Sequence, residues 1–177
     1  ARLSFLGYRS WLDEQFDRQP SLHRPELEAR VQAGETLGQS HRQAMWWKRA
    51  LLAPDQLRQR VAFALSEIFV ISDRNDALSG DPVGMAEYQD LLVNGAFGSY
   101  RELIEAVTKS PLMGKYLSHL RNRKANVAAN TRPDENYARE VMQLFSIGLV
   151  MLNPDGSVQL DPQGQPISTY EQEDIAA

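Results

Sequence analysis

Apolar residues recur three or four positions apart along most of this chain, and a sustained two-residue alternation is absent before about position 149. Because residues three and four apart share one face of an α-helix, this spacing predicts a helical protein. The clearest stripe runs from Leu57 to Phe69, with Gln59 on its polar side and Pro54 suited to its first turn. The fold class that follows is all-α, a multi-helix and bundle-like domain of about eight helices.

Prolines, glycines and capping residues mark where these helices begin and end. Ser40 and Ser99 are suited to N-caps, and Gly148 is suited to a C-terminal stop. The segment 72–84 is rich in Asp, Asn, Ser, Gly and Pro, which predicts a surface loop. The predicted helices occupy approximately residues 5–16, 25–32, 40–52, 54–69, 85–95, 99–107, 111–120 and 133–147.

The spacing of apolar residues changes after Gly148. The alternating residues are Val150, Leu152, Val158 and Leu160, on either side of the turn sequence 153–156. Two short alternating runs around a turn predict a small β-hairpin near the C-terminus. Asp155 and Asp161 resemble a calcium loop only loosely, because the closing glutamate is absent, so turn chemistry is the favoured interpretation. A short helix is predicted after Thr169, where Gln172 completes a capping-box pattern.

The composition is that of a folded domain without a membrane span. Of 177 residues, 42% are hydrophobic, 24% are charged and none is cysteine, which is ordinary for a globular protein that has no disulfides. The longest nearly uncharged apolar run, Val61–Ile71, contains Glu67 and is much shorter than the roughly 20 residues that a membrane helix needs. A net charge of -4 argues against a nucleic-acid partner, since such binding depends on Lys and Arg neutralising phosphates.

Both ends of the chain indicate a piece of a longer protein. It begins with Ala1 and has no initiator methionine or signal-peptide pattern, so we expect the natural N-terminus and its targeting signal to be missing. It ends at Ala177, barely two turns into the helix predicted after Thr169, and a helix that short is marginal alone. We therefore expect residues 1–177 to be a single helical domain, the N-terminal fragment of a longer chain.

One long motif carries a resemblance to a known family. The run from Arg132 to Glu140 reads Arg-Pro-Asp-Glu-Asn-Tyr-Ala-Arg-Glu and continues through Val-Met-Gln-Leu-Phe to Gly148. It resembles the signature of the bacterial domain-of-unknown-function family 1800. Further stretches that are similar to this family are 57–65, 96–98, 122–124, 169–170 and 174–175. The resemblance therefore spans nearly the whole chain.

The resemblance implies a cellular setting but no activity. Members of that family are typically much longer, often carry export signals and are often encoded beside a sulfatase-like exported family. A periplasmic or extracellular location is therefore implied, with the missing C-terminal part of the same protein and an exported sulfatase-like protein as partners. Many members carry a histidine pair in the segment matching Ser66 to Ser72, which has no histidine in this chain. No cofactor or catalytic residue is implied.

The helix predicted over 133–147 carries the densest group of polar residues. Glu135 and Arg139 are four residues apart, so they lie on neighbouring parts of the helix surface. Asn136 and Glu140 have the same spacing. A functional interpretation makes Glu135 and Glu140 acid–base or metal-binding carboxylates, with Arg139 holding an anionic substrate. A structural interpretation, which we favour, makes Arg139 the hub of a partly buried polar network. The apolar residues expected to be buried around it are Tyr137, Val141, Leu144 and Phe145.

Other residues support weaker hypotheses about binding. The three histidines are far apart in sequence, and capping or solvent-facing roles are favoured over metal ligation for His23, His41 and His119. Trp46 and Trp47 could stack on a sugar or a base, although core packing of one of them is the favoured interpretation. The basic stretch 121–124 is most simply a solvated connector.

Two functions from different classes are consistent with these residues. The first is non-catalytic, a helical scaffold or interaction module of an exported protein. The second is a hydrolase-type enzyme whose site would be completed by residues beyond Ala177, with Glu135, Arg139 and Glu140 as the contribution of this chain. The sequence contains no nucleophile elbow, phosphate-binding glycine loop or dinucleotide motif.

Overall fold

The computed structural model describes residue 5, residues 7–126 and residues 128–176, the side chain of Ala176 excepted. The chain divides into two units, Ala1–Tyr116 and Leu117–Ala177, and the expectation of a single domain over 1–177 stays a prediction. The helices described in the first unit are α1 (Tyr8–Asp17), α2 (Arg24–Gln32), α3 (Gln39–Leu52), α4 (Gln56–Ser66), α5 (Pro82–Gly95), α6 (Tyr100–Lys109) and α7 (Pro111–Tyr116). Those of the second unit are α8 (Asn136–Met142), its π-helical continuation (Gln143–Ile147) and α9 (Gln172–Ala176).

Helix α5 lies at the centre of the first unit, where it packs against α2, α3, α4, α6 and α7. Its buried apolar residues are Met85, Ala86, Tyr88, Leu92 and Val93. Helix α6 faces it with Leu103 and Val107 buried, and the predicted cap is present, since Ser99 Oγ accepts from the Glu102 N–H at 3.5 Å. Each large apolar side chain buried here contributes roughly 1.5–3 kcal/mol. The first unit is therefore organised around α5.

The starts of α3 and α4 differ from the sequence-based prediction. Helix α3 begins after Gly38, whose N–H donates to His41 Nδ1 at 3.0 Å, so Ser40 is not the cap. Helix α4 begins after Asp55, which leaves Pro54 outside the helix. The prediction that Gln59 lies on the polar face of α4 is also wrong, because this side chain is buried. The buried Gln59 side chain is hydrogen-bonded in a polar network that is described below.

Helix α8 ends in a π-helical turn, in which the Gly148 N–H donates to Gln143 O at 3.1 Å across five residues. Leu144 and Phe145 lie within this wider turn, which changes the direction of their side chains. Phe145 is buried, whereas Leu144 is 66% exposed. Burial is therefore predicted correctly for Tyr137 and Phe145 and wrongly for Leu144. Gly148 ends the helix as predicted, with a φ of 76° that favours glycine.

The predicted β-hairpin is wrong, because the described residues contain no β-strand. The residues from 150 onward form isolated antiparallel bridges instead, between Val150 and Ser168, Leu152 and Val158, and Leu160 and Pro166. The turn itself is formed, since the Gly156 N–H donates to Asn153 O at 2.9 Å and Asp155 Oδ1 accepts from the Ser157 N–H at 2.9 Å. The alternating apolar residues lack a buried face, with Leu152 55% and Leu160 57% exposed. A two-stranded hairpin without packing is marginal in water.

The helices of the described ranges are all shorter than a bilayer span. The longest, α3 and α5, have 14 residues each, whereas a membrane helix needs roughly 20 apolar residues. None of them is long and apolar enough to cross a membrane, in agreement with the prediction from the sequence.

Candidate functional site

The residues predicted as a site lie at the start of α8, where three side chains form a ring. Arg139 Nη2 lies 3.0 Å from Glu135 Oε2, one helical turn away. Gln172 of α9 closes the ring, since its Nε2 donates to Glu135 Oε2 at 2.8 Å and its Oε1 accepts from Arg139 Nη2 at 3.4 Å. The Arg139 and Glu135 side chains are 39% and 33% exposed. The ring therefore ties α9 to α8 as a half-buried contact.

Glu140 is not part of this ring. Its Oε2 is shielded from water, and no described residue donates a hydrogen bond to it. The structure therefore brings together two of the three predicted residues, Glu135 and Arg139, and leaves Glu140 apart. A catalytic role for any of the three stays a prediction.

The three histidines lie in three different environments. His41 accepts the Gly38 N–H at the start of α3, and the ring of His119 packs on Tyr137 with their centroids 3.9 Å apart. His23 precedes α2 and is buried. Among the described residues, no group of three or more His, Cys, Asp or Glu side chains is placed to hold a metal ion.

A buried carboxylate of α5, Asp90, holds the start of α2. Its Oδ1 accepts from the His23 N–H at 2.6 Å and lies 2.8 Å from His23 Nδ1, while its Oδ2 accepts from the Arg24 N–H at 2.8 Å. The first N–H groups of a helix have no partner within the helix, and a negative charge is favoured beside them. Asp90 is thus a cap supplied from 67 residues away. The one signal in the sequence is a carboxylate among the apolar residues of 85–93.

A second buried carboxylate, Asp55, joins α4 to the segment before α2. Its Oδ2 accepts from the Ser21 N–H at 2.9 Å and from Gln59 Nε2 at 3.1 Å, and Gln59 Nε2 also lies 3.2 Å from Ser21 O. Burial raises the pKa of Asp55, but the hydrogen bonds from Ser21 and Gln59 outweigh it and leave the pKa below its ordinary value. This pair explains why Gln59 is inside.

Gln15 of α1 provides a third buried polar contact. Its Oε1 accepts from the Leu57 N–H at 3.0 Å, in the first turn of α4, and its Nε2 donates to Pro54 O at 3.2 Å. Buried polar groups are destabilising unless they are hydrogen-bonded, so this pairing fixes α1 against the start of α4. The first unit is therefore a frame whose helix ends are held by distant side chains.

The first unit also contains an open cleft, which we call the aromatic cleft, lined by residues of α3, α4, the segment 66–73 and α5. Its volume is about 390 Å³, within the range of small-molecule sites. Its floor contains the buried residues Phe69, Met85 and Tyr88, and the Tyr88 hydroxyl donates to Phe69 O at 2.9 Å. The floor is therefore apolar, and the Tyr88 hydroxyl already has a hydrogen-bond acceptor within the protein.

Three aromatic side chains form one wall of the aromatic cleft. The rings of Trp46 and Trp47 meet edge to face, with centroids 4.9 Å apart and planes at 82°, and Trp46 lies 5.7 Å from Phe63. Trp47 is 58% exposed and Phe63 is 43% exposed. The prediction that one of the two tryptophans lies in the core is wrong, because Trp46, the less exposed of the pair, is only partly buried.

The rest of the lining of the aromatic cleft is polar, with one cation and two carboxylates. Arg42 pairs with Asp73, whose other oxygen accepts from Gln39 Nε2 at 2.9 Å. Glu67, Gln43 and further hydroxyl and amide groups complete the lining. The segment 66–72, for which the resemblance implies a histidine pair, lines this cleft with Ser66, Glu67 and Ser72 instead.

The second unit exposes a row of large apolar side chains. We call residues 144–160 the apolar segment. Its exposed members are Leu144, Ile147, Leu149, Met151, Leu152, Val158 and Leu160. Exposed apolar residues that occur singly are normal, whereas seven of them fall here within residues 144–160.

A family model matches the whole chain. It is described as Protein of unknown function (DUF1800) and covers residues 1–177, which confirms the resemblance carried by the motif between Arg132 and Gly148. No curated protein and no solved structure matches the chain.

Proposed function

The chain belongs to the DUF1800 family of proteins of unknown function, and we propose that it is a helical scaffold or interaction module of an exported bacterial protein. We place it in the periplasm or outside the cell, as the family resemblance implies. The partner that we propose is the sulfatase-like exported protein, with the remaining C-terminal part of the same protein as a second contact. A nucleic-acid partner is not proposed, because the chain is acidic.

The observation that carries this proposal is the exposure of the apolar segment. Seven large apolar side chains lie exposed within 144–160, from Leu144 at 66% to Val158 at 42%. Covering them with a partner would contribute about 25 cal/mol for each Å² of apolar surface removed from water. The backbone here forms isolated bridges and exposed turns, with no strand among the described residues, so it can adapt to a partner surface.

The proposal is tested by removing the apolar character of this surface. Replacing Leu149 and Leu160 by Ser should weaken binding to the sulfatase-like protein by about ten-fold or more, measured by calorimetric titration. The matched control replaces Gln163 and Gln165 by Ser, two exposed polar residues of the neighbouring turn, and should bind as the wild type does. Equal affinity in the leucine variant would show that the apolar segment is not the contact surface.

A hydrolase is the second candidate, and the shielded oxygen of Glu140 favours it. A general base needs a carboxylate oxygen that can accept a proton from a bound substrate, and no described residue donates to Glu140 Oε2. The protein would be screened against ester, phosphate, sulfate and glycoside substrates and assayed for bound metal. Turnover that is present in the wild type and lost in Glu140→Gln would replace the interaction proposal with an enzymatic one.

A further inference from the structure

The aromatic cleft belongs to the first unit and is lined by the aromatic side chains Trp46, Trp47 and Phe63 together with the charged side chains Arg42, Glu67 and Asp73. We propose that this cleft binds a neutral carbohydrate, one or two pyranose rings in length. The inference concerns a different unit of the chain from the proposed partner surface, so either can fail without the other.

The aromatic wall fits the apolar face of a sugar ring. A pyranose has one face made of C–H groups, which carry slight positive charge, and an aromatic ring presents a negative π-face. Trp47 is 58% exposed although it is a large apolar side chain. It is held in place by its edge-to-face contact with Trp46, which in turn leans on Phe63. The wall is therefore pre-formed, and binding would order few side chains.

The polar side chains of the lining fit the hydroxyl groups of the same sugar. Amide side chains such as Gln43 and Gln89 both donate and accept hydrogen bonds, and the carboxylate of Glu67 accepts them. A sugar hydroxyl also does both, so it can pair with each of these groups. An apolar floor with polar groups placed around it is the usual pattern of small-molecule sites.

The charges of the cleft disfavour an anionic ligand. Its one arginine, Arg42, is paired with Asp73, and Glu67 adds a second carboxylate. A phosphate, a sulfate or a nucleic acid would therefore find Arg42 already paired with Asp73 and would be repelled by the carboxylate of Glu67. An organic cation is the competing ligand class, since aromatic rings beside carboxylates attract quaternary ammonium groups. The volume of about 390 Å³ favours the larger sugar.

Tryptophan fluorescence gives a direct test. The chain has three tryptophans, and replacing Trp11 by Phe leaves Trp46 and Trp47 as the only indoles, both in the cleft. The Trp11→Phe protein would be titrated with neutral oligosaccharides of glucose, galactose, mannose and N-acetylglucosamine, and with tetramethylammonium. We expect a saturable change in emission with one or more of the sugars, and less than about two-fold loss of affinity between low and high salt, because the ligand is uncharged.

Two variants locate the binding. Trp47→Ala should lower sugar affinity by about ten-fold or more, and Gln43→Ala should lower it by a smaller factor. Both side chains are exposed, so the fold should be kept, which circular dichroism verifies. Tyr8→Ala is the matched control, an aromatic residue of α1 that is 78% exposed outside the cleft, and it should leave affinity unchanged.

Three results would overturn the proposal. They are the absence of binding across the sugar panel, equal sugar affinity in the Trp47→Ala and Tyr8→Ala proteins, and saturable binding of tetramethylammonium alone. The last result would identify the cleft as a cation site.

Discussion

The two units of this protein hold their helices in different ways. In the first unit, buried side chains from distant positions satisfy helix starts, as Asp90 does for α2 and Gln15 does for α4. In the second unit, the ring of Glu135, Arg139 and Gln172 is half-exposed, and the residues after it form isolated bridges. Buried hydrogen bonds are stronger and more costly to lose than exposed ones.

This difference agrees with the different tasks that we propose for the two units. A unit fixed by buried contacts suits a pre-formed site for a small ligand. A surface of exposed apolar side chains on weakly paired backbone is suited to contact with a larger, shaped partner. The comparison predicts that equivalent polar substitutions will have unequal effects in the two units.

The largest effect is expected for Asp90→Ala. This change leaves the His23 and Arg24 N–H groups and the His23 ring without an acceptor inside the protein. The free energy of unfolding should fall by about 4 kcal/mol, measured by urea denaturation followed by circular dichroism. Asp90→Asn is the control, since an amide oxygen can accept one of these N–H groups, and it should lose about half as much. A loss below about 1 kcal/mol in Asp90→Ala would remove the contrast between the units.

A moderate effect is expected for Asp55→Asn, through the pH dependence of the free energy of unfolding. The pKa of this carboxyl is lower in the folded protein than its ordinary value of 3.8, so the folded state favours the charged form. The stabilisation is therefore complete above pH 3.8 and is lost as the pH falls through the folded pKa. Urea denaturation at a series of pH values should show a weaker decline at low pH for Asp55→Asn than for the wild type. Parallel declines would show that Asp55 is not held in its charged form.

The smallest effect is expected for Arg139→Ala in the second unit. Its pair with Glu135 is over one third exposed on the arginine side, and ion pairs of this kind contribute about 0–1 kcal/mol. The structural hypothesis from the sequence makes Arg139 the hub of a partly buried network, and the loss would be roughly 3–5 kcal/mol where a buried pair is broken. Calorimetric melting of Arg139→Ala beside Arg139→Lys distinguishes the two values. A loss near the larger value would show that the ring is buried in solution.

Helix positions could be predicted from the sequence because periodicity is a local property. Tyr137 and Phe145 were placed correctly inside, whereas the π-turn at Gln143–Ile147 moved Leu144 outside, and no local pattern signals such a turn. The alternation from Val150 to Leu160 suggested a hairpin, but alternation forms strands only where one face is packed.

The buried polar contacts could not be predicted from local patterns. Gln59 was placed on the polar face of its helix because polar residues are mostly exposed. Its burial depends on Ser21 and Asp55, which neither helix spacing nor composition brings together. The same holds for His23 and Asp90, which are 67 positions apart. Of the aromatic cleft, the sequence indicates only the pair Trp46 and Trp47. Its polar lining comes partly from the same helix and partly from the segment 66–73, which sequence spacing does not bring to the tryptophans.

Hydrogen exchange of the protein alone and with the sulfatase-like exported protein tests the proposed interaction surface most directly. We predict slow exchange at His23, Arg24 and Leu57 in both samples, and fast exchange over 149–160 that becomes at least about ten-fold slower when the partner is added. Unchanged exchange over 149–160 at saturating partner, or new protection confined to the first unit, would contradict the account.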